Sequence, residues 1–92
     1  MTHTFSKEQA LGIIESDSRR CGTLQEIPLG KVAKKVVAAF KFRGEKFPGF
    51  EVRLVLTNPG SDLVKPTVYH PTLSPTLWKE ADTELRKIFG VL

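Results

Sequence analysis

From Phe50 to Thr57 the chain alternates in side-chain character, and Asn58-Pro59-Gly60 brings the alternation to a stop. Phe50, Val52, Leu54 and Leu56 occupy one phase; Glu51, Arg53, Val55 and Thr57 occupy the other. A repeat of two is the repeat of a strand, and one apolar phase belongs to a sheet with one buried face. The stretch Asn-Pro-Gly supplies turn residues that end such a strand.

The neighbouring segments read around that strand. Residues 31–43 are ambiguous. As a helix they would bury Val32, Val36 and Phe40; as a strand they would set Val36, Ala38, Phe40 and Phe42 against Val37, Ala39, Lys41 and Arg43. Enrichment in β-branched and aromatic residues favours a strand from about 35 to 43. Residues 44–49, with Pro48-Gly49, then form a hairpin connection. A third strand is expected around 63–70, and Pro66 and Pro71 confine it to a sheet edge.

Two helices flank these strands. Ser6 with Gln9 three residues on makes a capping box, with Phe5 placed to staple onto Ala10. Ala10, Leu11, Ile13 and Ile14 recur at helical spacing. With Arg19 and Arg20 in a last turn and Gly22 beyond it, the first helix is expected over roughly 7–21. Residues 23–30 form a connector. Ser74 and Pro75 open the second helix. Leu77, Trp78, Ala81, Leu85, Ile88 and Phe89 form its apolar stripe, and Gly90 is its stop. The fold class is α+β: a small antiparallel sheet of about three strands, built on a central hairpin, with both helices packed on one face.

Composition bounds what such a chain can be. A length of 92 residues, 40% hydrophobic and 26% charged, fits one soluble globular domain over 1–92. No apolar run approaches the ~20 residues that span a bilayer. The first residues, Met-Thr-His-Thr-Phe-Ser, lack the basic and apolar regions of a secretory signal. One cysteine, Cys21, allows no intrachain disulfide. These traits favour the cytoplasm, that of the host if a virus encodes the chain.

Catalytic and metal patterns do not emerge. Two histidines, His3 and His70, and one cysteine show no zinc-ligand spacing. Arg19 and Arg20 beside Cys21 could lower its pKa, but a small apolar side chain packed at a helix end explains Cys21 better. Glu80 and Glu84 sit among Lys79, Arg86 and Lys87 as solvated helix charges, and Asp62 suits a turn. No phosphate-cradling glycine loop is present. The expectation is a protein that is not an enzyme and needs no cofactor or metal.

The charge distribution carries the functional hint. Residues 31–53 hold seven basic side chains against two acidic ones, a net +5, while the rest of the chain sums to −1. The whole chain's +4 therefore lies in one quarter of its length. Such a field attracts polyanions and acidic surfaces. Lys31, Lys34, Lys35, Lys41, Arg43, Lys46 and Arg53 are the candidate contacts. Lys35, Lys41, Arg43 and Arg53 share the outward phase of the strands, with Lys46 at the hairpin tip. Phe47, placed in the turn, is a candidate to stack on a base.

Two short stretches have counterparts in known families. Lys46-Phe47-Pro48-Gly49-Phe50-Glu51-Val52 loosely resembles the aromatic motif on the central strand of RNA-recognition-motif domains. Pro48 and the helix-first order depart from that family. Gly49-Phe50-Glu51-Val52-Arg53, followed by Asn58-Pro59, resembles the strand-and-arm region of the histone-like HU family. In that family a basic β-arm between those stretches binds the DNA minor groove. Here only Leu54, Val55, Leu56 and Thr57 intervene, too few for an arm. The expectation therefore rests on the residues: a non-enzymatic basic module that contacts RNA, DNA or a ribonucleoprotein through a cationic hairpin. The alternative is a protein-directed inhibitor or adaptor bound to an acidic surface, such as a phage-encoded, anti-CRISPR-like inhibitor of a host nucleic-acid-processing complex. The sequence fixes no oligomeric state.

Overall fold

A computed structural model describes residues 4–27, 35–44, 47, 49–58, 60–72 and 74–90. The elements run in the order β1 (Phe5–Ser6), α1 (Lys7–Ser16), β2 (Gln25–Glu26), β3 (Val36–Lys41), β4 (Glu51–Leu56), β5 (Leu63–Tyr69) and α2 (Pro75–Phe89). Among these residues the fold is α+β, with a five-stranded sheet ordered β1-β5-β4-β3-β2 rather than about three strands. Every pairing is antiparallel. The alternating strand, β4, is the centre of the sheet, between β3 and β5.

The two extra strands are two residues each, too short to show any period. β1 pairs Phe5 with Val64 and Ser6 with Leu63. β2 pairs Gln25 with Ala39 and Glu26 with Ala38. β5 is therefore not the edge that its prolines suggested. The physical reason for the prolines survives in part: β1 covers only Leu63 and Val64, so Pro66 lies past that pairing, where a missing N–H breaks no ladder bond to β1.

β3 settles the ambiguous segment as strand over 36–41, but with a displaced phase. Val36 pairs with Val55 and Ala38 with Leu54, so Val37 is the extra residue of a bulge. Val37 and Ala38 both join the core, and Val36 turns to the opposite face. The expected inward phase thus holds for Ala38, Phe40 and Phe42 and fails at Val36.

α1 starts as its sequence dictates. The Gln9 N–H donates to Ser6 Oγ at 3.2 Å, and the Ser6 N–H donates to Gln9 Oε1 at 3.2 Å. It ends at Ser16, five residues before the expected boundary. Asp17 is the cause. Its carboxylate accepts from the Arg20 N–H at 3.3 Å and from the Arg20 side chain at 3.0 Å, which holds 17–20 as a separate turn. Gly22 then serves a close approach rather than a helix stop. Its N–H donates to the Lys41 carbonyl at 2.8 Å, and a Cβ there would stand 2.6 Å from that oxygen.

α2 starts at Pro75 and ends at Gly90, whose φ of 69° is left-handed. Ser74 occupies the N-cap position without a side-chain cap bond. Both helices cover one side of the sheet. Ala10 and Ile14 of α1, with Ala81, Leu85, Ile88 and Phe89 of α2, pack on Ala38, Phe40, Val52, Leu54, Val64 and Val68. Phe5, in β1, meets Phe89 of α2 with ring centroids 5.1 Å apart. Trp78, expected in the stripe of α2, stays 36% exposed. No described helix is long and apolar enough to cross a membrane.

Candidate nucleic-acid interface on the open sheet face

Among the described residues no helix packs on the other side of the sheet, where Lys35, Lys41, Lys65, Thr67 and Tyr69 are exposed while Val36 and Ala39 are buried. Strand alternation decides what stands there. Three cross-strand rows follow from the register: Val36–Val55–Lys65, Ala39–Arg53–Thr67 and Lys41–Glu51–Tyr69. Lys35, at the turn entering β3, joins Val36, Arg53, Val55, Thr67 and Tyr69 around an open groove of about 460 Å³. On the other side of β4, Thr23, Gln25, Ala39, Lys41 and Glu51 line a second depression of about 240 Å³.

Arg53 and Tyr69 form the most ordered part of this face. They are diagonal neighbours across β4 and β5, a spacing that long side chains bridge. The Arg53 guanidinium carbon lies 3.7 Å from the centroid of the Tyr69 ring. Its Nε donates to Glu51 Oε2 at 2.9 Å. The carboxylate fixes the guanidinium, and the guanidinium lies over the ring as a cation–π pair. Tyr69 is still 42% exposed. Glu51 is the one carboxylate among the outward positions of β3, β4 and β5, set against Lys41, Arg53 and Lys65.

The candidate residues separate into groups. Lys35, Lys41 and Arg53 share the open face, although Arg53 is partly engaged by Glu51 and Tyr69. Arg43 is exposed beyond the end of β3, and its N–H donates to the Arg20 carbonyl at 2.9 Å. Lys31, Lys34 and Lys46 lie outside the described residues. Phe47 requires a correction. It is 5% exposed, with its ring 5.2 Å from Phe42 and 6.1 Å from Phe50, so it extends the aromatic core instead of presenting a ring to solvent. Apolar area gained against two phenylalanines outweighs the turn position.

Lys65 and Tyr69 belong to the face and were not among the candidates. The signal was available: 63–70 alternates too, and its outward phase is Leu63, Lys65, Thr67 and Tyr69. Both residues lie outside the basic stretch 31–53, and only the pairing of β5 with β4 brings them beside it.

The groups with chemical reactivity lie elsewhere. Cys21 is buried at 3% exposure beside Phe42. Burial pushes its thiol up to about 11; the Asp17 carboxylate adds to the rise, and Arg20 and Arg43 oppose it. A protonated, covered thiol is a poor nucleophile. His70 stacks on Phe50 at 4.4 Å between centroids, and its Nδ1 accepts from the Thr72 N–H at 3.0 Å. Among the described residues no group of three or more His, Cys, Asp or Glu side chains is placed to hold a metal ion. In comparisons with known proteins, no family model, curated protein or solved structure matches the chain.

Proposed function

We propose that the chain is a non-enzymatic binding module that contacts nucleic acid, free or within a ribonucleoprotein, through the open face of its sheet. One observation carries this reading. Lys35, Lys41, Arg53 and Lys65 stand on a face that no described helix covers, and the one carboxylate among the described outward positions of β3, β4 and β5, Glu51, is already tied to Arg53. Phosphates supply the complementary charge, and lysine ammonium groups on a sheet can follow a phosphodiester backbone without reading sequence. On this reading the protein works in the cytoplasm, that of the host if a virus encodes it.

The apolar positions on the same face favour a second reading. Leu63 is 44% exposed and Tyr69 42%, which suits a protein-directed inhibitor or adaptor that docks on an acidic surface. Capture from lysate with and without nuclease separates the two, because a protein partner survives the nuclease. The direct test is fluorescence anisotropy with labelled RNA and DNA oligonucleotides over a salt series. Affinity should fall steeply with salt. Replacing Lys35, Lys41 and Lys65 together by alanine should flatten the log–log slope by about 2–3, since each lost phosphate contact removes ~0.7–0.9. Unchanged affinity and slope in the triple variant would overturn the reading.

A further inference from the structure

We infer that the open face takes single-stranded nucleic acid and seats an unpaired base in the groove beside Tyr69. The inference rests on the proposed function above and specifies its ligand. Size excludes the duplex from the interior of this site. β3, β4 and β5 stand side by side along the whole groove, with β1 and β2 beside them for two residues each at different levels, so the surface is wider than a two-stranded ribbon. The major groove of a duplex is ~12 Å wide and admits a helix or a two-stranded ribbon. A duplex could therefore touch this face only with its phosphates.

The groove is not built for phosphates alone. Val36 and Val55 pair across β3 and β4 to make its floor, and the Tyr69 ring stands at the β5 side. An anion gains nothing from such a floor, whereas the flat, weakly hydrated face of a base does. The Arg53 guanidinium, held by Glu51 and lying over the Tyr69 ring, offers a second planar surface on which a base can stack. Lys35 stands at the same groove, where it can meet a neighbouring phosphate. Apolar floor, planar stack and cationic rim within about 460 Å³ together match one unpaired nucleotide. The second depression, across β4, places Lys41 where the backbone would continue.

The test compares a single-stranded oligonucleotide with an abasic oligonucleotide of equal length and charge, and with a duplex, by anisotropy at low salt. The base-bearing strand should bind about tenfold tighter than the abasic one, the scale of one base–aromatic stack. Tyr69→Ala should bring that ratio towards one, and Tyr69→Phe should keep it. Equal affinity of the wild-type protein for base-bearing and abasic strands would overturn the seated base while leaving phosphate binding intact. A duplex that binds more tightly than the single strand would also overturn it. Absence of binding to all three would remove the proposed function and the inference together. The wild-type ratio needs no variant, so a misfolded Tyr69→Ala protein would not spoil the test.

Discussion

Arg53 shows how much one side chain can organise. Its guanidinium is planar and carries its donors in a fixed fork, so it can donate to Glu51 and lie over Tyr69 at once. A lysine at the same position could satisfy the carboxylate but would leave the ring without a planar partner. Phe47 shows the opposite case, in which context overrides position. A turn phenylalanine beside Pro48-Gly49 reads as exposed because the local sequence carries no sign of what lies above it. The covering groups, Phe42 and Phe50, are close in sequence, but their rings converge only once β3 and β4 pair. Phe47→Ala is therefore expected to cost about 3–5 kcal/mol, as core phenylalanine truncations do, measured by urea denaturation. A loss below about 1 kcal/mol would place the ring outside the core.

At the scale of elements, helix starts and the central strand are legible because their signals are local. The capping box at Ser6 and Gln9, Pro75 at the start of α2 and the alternation of β4 each involve residues a few positions apart. The end of α1 is not legible locally: Arg19 and Arg20 match a basic last turn, while the competing bond from the Arg20 N–H to the Asp17 carboxylate leaves no mark in composition. The bulge at Val37 was hidden for a similar reason, since every residue from Val36 to Phe40 is apolar and a shifted phase changes no pattern. α1 is only 10 residues long, below the length at which isolated helices hold in water, so packing sustains it. Gly12 lies in its middle, exposed, with nothing within 4 Å of a Cβ. Gly12→Ala should raise stability by about 0.5–1 kcal/mol in urea melts, by restricting the unfolded chain and favouring the helix. A neutral or destabilising result would mean that the space beside Gly12 is filled.

Over the whole molecule, the class of fold was legible and the width of the sheet was not. Two apolar helix stripes and one half-apolar strand require a helix layer on a sheet layer, whatever the details. β1 and β2 are defined by their partners alone, Val64 and Leu63 for one, Ala39 and Ala38 for the other, and no local rule could announce them. The candidate site was half legible. The cationic phase of β3 and β4 could be read along the chain, but the contribution of β5 required knowing that it lies beside β4.

The division of the sheet into a covered and an open side has a spectroscopic consequence. The chain contains one tyrosine and one tryptophan. Tyr69 stands in the open groove, and Trp78 sits on α2 in the helix layer, 36% exposed. The two chromophores therefore report on opposite sides of the molecule. Titration with a single-stranded oligonucleotide should quench tyrosine emission and leave the tryptophan maximum where it is, whereas denaturant should move both. A ligand that shifts the tryptophan and spares the tyrosine would be sitting on the helices. No label is needed to tell which side of the sheet a partner has chosen.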